Sequence, residues 1–273
     1  MIVARAPATT ANLGPGFDCA GLALDLWNEV DVADGGEPDR DHLGVRAFAL
    51  LAAPDGRSFT WRTAIPRERG LGSSAAVIAL GLVAGAAVAG VEPEPERLLE
   101  LGVPLEGHAD NLAAALAGGA CLTWDGRIAR VADRVPADPV AVVPRESRMA
   151  TAASRAALPA SVSHADAAHT AARAALLGAA IASASTPLFG AALDDRLHEP
   201  YRASDAPLLA RVRGEPPVGA IGATLSGSGP TVIVWAEPGS GAACAAALEA
   251  AFEDADVLLL AASATGAQAT TTG

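Results

Sequence analysis

Residues 75–91 form an uninterrupted run of apolar side chains, most of them Ala, Gly and Val. A helix built from such a run has no polar face, so protein or lipid must enclose it on every side. Its length reaches only the short end of what spans a bilayer. The spacing of Gly81 and Gly85 also suits close helix packing. We read the run as a buried, close-packed helix, capped at its start by Ser73 and Ser74. Enclosing it takes a large core, and 273 residues at 51% hydrophobic supply one.

The helix is entered from a glycine loop, PRERGLGSSAA at residues 66–76. Gly70 and Gly72 let the backbone approach an anion and adopt positive φ. The free N–H groups of the helix start point back at the loop, which makes an anion site from main-chain dipoles. Such a site matters here because the chain has no lysine; every basic residue is arginine. That excludes a Walker A loop, a protein-kinase β3 lysine and any Schiff-base lysine. A net charge of −12 argues against non-specific binding of nucleic acid or anionic membrane.

Elsewhere short strands alternate with helices. Strands are expected at 2–6, 21–32, 57–65, 120–124, 128–131, 140–143, 218–221, 231–236 and 257–261. Helices are expected at 43–53, 75–91, 93–101, from about 111 to 116, at 163–185 and at 241–252. Residues 7–17 and 222–230 read as loops, and the small polar tail 263–273 as a fraying end. This mixture predicts an α+β architecture. Pro136 and Pro139 flank a boundary near residue 138, which divides the chain into domains 1–138 and 139–273. Cys19, Cys121 and Cys244 are odd in number and far apart, and no apolar leader is visible, so a reducing, cytoplasmic location is expected.

Three ordered segments resemble the motifs of the GHMP kinase superfamily: PATTANLGPGFD at 7–18, PRERGLGSSAA at 66–76 and GATLSGSGPT at 222–231. EGHADN at 106–111, TAASRAALP at 151–159 and DRLHEPYR at 195–202 are similar to segments of its homoserine kinase family. The resemblance implies a two-domain fold, with an N-terminal domain like ribosomal protein S5 domain 2 and a ferredoxin-like C-terminal domain. It implies transfer of the γ-phosphoryl of ATP to the side-chain hydroxyl of L-homoserine, with Mg²⁺, in threonine biosynthesis. A homodimer is a further family expectation.

By the same resemblance, Pro66, Arg69, Gly70, Leu71, Gly72, Ser73 and Ser74 would hold the nucleotide. Ser74 and Glu106 would hold the metal, with Glu100 a rival to Glu106. Asn12, Asp18, His108, Asn111, Thr151, Arg155, Arg202 and Gly227 would surround the substrate. Arg155 and Arg202 suit its carboxylate and Asp18 its ammonium. Ser74, Glu106 and Asn111 form the catalytic group. Asn111 orients the hydroxyl, since an asparagine cannot take a proton at neutral pH, and no base is named. Asp110 is left out because neighbours along a helix do not share a face. His42, Ala109 and Ser154 depart from the family pattern, which usually has Asn, Pro and Ala there. Two rival readings are a GHMP kinase for a sugar or isoprenoid alcohol and a catalytically silent binding protein. The first has no use for an ammonium–carboxylate site, and the second would show a broken glycine loop or a lost Glu106.

Overall fold

The computed structural model describes residues 1–149 and 151–272. Its first half runs β1 (Ile2–Asn12), β2 (Gly16–Asp34), α1 (Leu43–Phe48), β3 (Arg57–Arg62), α2 (Ser73–Ala89), α3 (Pro95–Glu106), α4 (Asp110–Ala117), β4 (Ala120–Trp124) and β5 (Arg127–Ala132). The second half continues β6 (Asp138–Pro144), α5 (Thr151–Ala156), α6 (His164–Ala182), α7 (Thr186–Ala192), α8 (Glu199–Arg202), α9 (Pro207–Gly214), β7 (Ala220–Leu225), β8 (Val232–Ala236), α10 (Gly241–Ala251), β9 (Ala255–Leu259) and β10 (Gln268–Thr271).

Two antiparallel sheets organise these elements. The first has the order β10-β1-β2-β4-β5, with β3 also on β2. The second has the order β7-β8-β6-β9 and the β-α-β-β-α-β connectivity of a ferredoxin-like unit. In β6 the alternation is direct. Val140 and Val142 pack with Leu209, Val212, Cys244 and Leu248 beneath α9 and α10. Ala141 and Val143 face the main core with Ile233 and Trp235. There Phe189 of α7 meets Trp235 edge-on, ring centroids 5.2 Å apart.

The apolar run is a buried helix over most of its length, as its composition predicts: α2 lies in the main core as far as Ala86, but it stops at Ala89, and Ala89, Gly90 and Val91 are exposed. Gly81 and Gly85 are the groove for α1. A Cβ on Gly81 would strike the Gly44 carbonyl and Ala47, and one on Gly85 would meet the Phe48 carbonyl. Among the described residues no helix is long and apolar enough to cross a membrane.

Several local expectations change; residues 222–225 continue strand β7 rather than opening a loop, and α3 runs past 101 to Glu106. Residues 7–12 continue β1 rather than forming a loop, with a register shift after Pro7 that lets a proline sit in the strand. The serine pair does not cap α2. The cap is Gly72, left-handed at φ 64°, and Ser73 and Ser74 are the first helical residues. The tail does not simply fray: β10 pairs with β1 from Ile2↔Thr271 to Arg5↔Gln268. We propose the division at residue 138 for the two sheets, since β6 begins there, with β10 counted in the first.

Candidate active site

The three glycine-bearing segments meet at one cavity of about 290 Å³. Asn12 ends β1, Asp18 opens β2, and Gly70 to Ser74 form the loop and first turn of α2. Glu106 ends α3, His108 follows it, and Asn111 lies in the first turn of α4. Thr151 and Arg155 come from α5, Arg202 from α8 and Gly227 from the loop after β7. Every expected substrate and metal residue therefore lines one space. Of the expected nucleotide residues, Gly70, Gly72, Ser73 and Ser74 line it; Pro66, Arg69 and Leu71 do not. Leu71 is fully buried and its carbonyl accepts from the Thr9 amide. The Arg69 side chain turns to the Arg145 carbonyl.

The loop side of the cavity is made of backbone. Gly70 and Gly72 are left-handed, at φ 84° and 64°. A Cβ on Gly72 would collide with Thr9 Oγ1, and one on Gly70 with the Ser226 carbonyl. Ser226 Oγ donates to the Gly70 carbonyl at 2.6 Å and accepts from Thr10 Oγ1 at 2.9 Å. The first and third motifs thus clamp the second, and the α2 N-terminus opens into the cavity.

Beside it, Ser74 Oγ donates to Glu106 Oε2 at 2.7 Å. The Glu106 side chain is only 6% exposed, and burial pushes its carboxyl above the usual range against the pull of the Ser74 bond. A hydroxyl and a carboxylate at a helix N-terminus are hard oxygen donors of the kind Mg²⁺ takes, so the residues fit that ion. Glu100 is 68% exposed and bound to Arg97.

His108 Nδ1 lies 3.0 Å from Asp110 Oδ1. Burial disfavours its charged form, but the Asp110 hydrogen bond and the charges of Asp110 and Glu106 outweigh it, and its pKa is raised. Thr9 Oγ1 donates to Asn111 Oδ1 at 2.7 Å, which leaves the Asn111 Nδ2, with one long contact of 3.5 Å to Asp110 Oδ1, as the donor end of the side chain.

The cavity lining also carries paired charges. Arg155 donates through both Nη atoms to the two Asp18 oxygens, at 3.0 and 2.5 Å. Arg202 is buried, and its Nε has no partner among the described residues. Both guanidiniums sit over the Phe17 ring, 5.6 and 5.4 Å from its centroid. Asn12 Nδ2 donates to the Gly227 carbonyl at 3.0 Å, and Asn12 Oδ1 accepts from the Asp18 amide at 3.1 Å. Asn12, Asp18 and Glu68 all have positive φ, a strain that collects at working sites. Phe17, Glu68, Asp110 and Ser228 also line the cavity though no role was expected of them. Each lies inside or beside a quoted motif, which was the available signal. Met149 lines it too, with no signal in the sequence.

The GHMP kinases N terminal domain model matches residues 42–119 and the GHMP kinases C terminal model residues 177–254. A homoserine kinase of Streptomyces avermitilis is 42% identical over 267 residues, which cover 86% of each chain. One from Moorella thermoacetica is 37% identical, covering 90% of this chain and 92% of its own.

The chain belongs to the homoserine kinase family.

A solved Listeria monocytogenes structure assigned to homoserine kinase superposes over 100% of both chains, with TM-score 0.79 and 29% identity. The homoserine kinase structure from Cytophaga hutchinsonii, at 24% identity and TM-score 0.81, agrees in fold. The chain is thus a kinase of the two-domain GHMP fold. The first motif lies outside both matched spans, yet it contributes Asn12 and Asp18 to the same cavity.

Proposed function

We propose that the chain transfers the γ-phosphoryl of ATP to the side-chain hydroxyl of L-homoserine, giving O-phospho-L-homoserine, ADP and one proton, a step of threonine biosynthesis. The observation that carries this reading is one cavity lined both by a backbone anion site and by an Asp18–Arg155 pair with Arg202. A triphosphate suits the first and an amino-acid zwitterion the second.

The amides at the start of α2 bind the phosphates, and the glycines keep that surface free of side chains. Ser74 and Glu106 are the residues that would hold Mg²⁺, which when bound neutralises phosphate charge. Arg155 and Arg202 hold the substrate carboxylate, Arg202 through its partnerless Nε among other donors, and Asp18 takes the ammonium. Asn111 points a donor at the hydroxyl and takes no proton. A loose transition state leaves positioning and charge neutralisation as the main work. Net charge −12 and three free cysteines support a cytoplasmic setting away from nucleic acid and anionic membrane. The homodimer rests on family resemblance alone.

A coupled ADP-release assay with homoserine, mevalonate, galactose and shikimate tests the substrate class. Turnover with homoserine and none with the three alcohols that lack an ammonium group is expected; equal rates with galactose would refute it. Arg155→Ala raises the homoserine KM roughly 10–100-fold, the worth of a charged hydrogen-bond pair, with a smaller change in kcat.

A further inference from the structure

Behind Arg202 lies a histidine that no step above uses. His198 is completely enclosed, at 0% exposure. Its Nε2 is 2.8 Å from the Gly14 carbonyl oxygen, which can only accept, so Nε2 carries a proton. Its Nδ1 is 3.0 Å from Arg202 Nη1, which can only donate, so Nδ1 presents a lone pair. Two partners of opposite polarity thus select one neutral tautomer. Phe17 stacks on the imidazole, ring centroids 5.2 Å apart, and its ring also lies beneath the Arg202 guanidinium.

The surrounding charges leave this arrangement in place. Asp195 Oδ2 is 3.6 Å from Nε2, but both Asp195 oxygens already accept from the amides of Leu197, His198 and Glu199 at 2.8–3.0 Å. Burial, reinforced by the Arg202 charge, disfavours the imidazolium more than Asp195 and Asp18 favour it. Without His198, Nη1 of Arg202 keeps only a 3.3 Å contact to the Gly227 carbonyl.

We propose that His198 is a positioning residue of the amino-acid subsite: anchored on the Gly14 carbonyl, its neutral Nδ1 accepts from Arg202 and fixes the guanidinium that grips the substrate carboxylate. The proposal rests on the assignment of Arg202 to that carboxylate. It makes the arginine a pre-set fork, half committed to the protein and half presented to the ligand.

Two amides separate the roles of the ring nitrogens. In His198→Asn the Oδ1 takes the place of Nδ1, whereas in His198→Gln the amide takes the place of Nε2. Steady-state kinetics of both variants, with Arg202→Ala and the double variant H198Q/R202A, are compared with the parent. H198Q is expected to raise the homoserine KM about tenfold, with the ATP KM unchanged, and H198N to restore it to within about threefold of the parent. The double variant should be no worse than R202A alone, because one interaction is being removed twice. If R202A raises KM while H198N and H198Q behave alike, the positioning role is wrong and the carboxylate assignment stands. An unchanged KM in R202A overturns both. ¹⁵N NMR of the parent's histidines reads the tautomer even where a variant does not fold. A neutral Nε2–H form at His198 supports the proposal; an imidazolium or Nδ1–H form at neutral pH overturns it.

Discussion

Glu100 and Glu106 lie on the same helix, yet only Glu106 reaches the cavity, where Ser74 donates to it. Sequence leaves the two as rivals because Glu100 closes the helix expected at 93–101 and Glu106 follows one step later; burial separates them. Glu106→Ala is expected to lower kcat by about 10²–10³-fold, roughly 3–4 kcal/mol of barrier, as for loss of one charge-stabilising group. Glu100→Ala leaves kcat at the parent value, since its partner is the solvent-exposed Arg97. Steady-state kinetics on the pair checks both, and equal losses would contradict the placement. Asp110 marks a limit of residue-level reading. The rule that helix neighbours face apart applies inside a helix, but Asp110 is the first residue of α4. Its carboxylate accepts from the Asn111 amide at 2.7 Å and reaches back to His108. Strands and turns of the motifs tell which residue types meet; they do not tell which of two adjacent carboxylates turns inward.

At the scale of elements, α2 was legible because an apolar run without a polar face admits few placements. Its partner was not, since nothing in the run says that α1 is what fills the Gly81 and Gly85 groove. Gly81→Leu should lower the urea-unfolding free energy by about 1–3 kcal/mol, the usual cost of overpacking a filled core. An unchanged midpoint would mean α1 does not pack there. The first motif misled in the other direction. Its Pro, Asn and Gly suggested a loop, but the turn is confined to residues 13–15, between β1 and β2. With the left-handed cap at Gly72 in place of the expected serine cap, the Ser74 hydroxyl faces Glu106.

Across the whole molecule the two sheets are joined around the cavity by long-range bonds: Asn12 to Gly227, Gly14 to His198, and Ser226 to Gly70. Pairings of this separation, like that of β10 with β1, carry no local signature, which is why the tail looked unstructured in sequence. Within the second half of the chain, Glu199 of α8 accepts from the Leu225 amide of β7 at 2.8 Å and from Arg213 of α9 at 2.6 Å. Burial pushes its carboxyl up to about 7 from the usual 4.5. The folded chain therefore keeps a proton that the unfolded chain gives up. Its stabilising contribution is full at acid pH and is lost as pH rises towards 7. Glu199→Gln is expected to flatten that part of the stability–pH curve in thermal melts, and an unaltered slope would count against it. The central claim is that main-chain amides, with no lysine anywhere, hold the triphosphate opposite an arginine-bound amino acid. A crystal structure with a non-hydrolysable ATP analogue and homoserine tests it most directly. The account predicts phosphates on the amides of residues 70–74 and the carboxylate on Arg155 and Arg202; a polyphosphate bound away from that loop would contradict it.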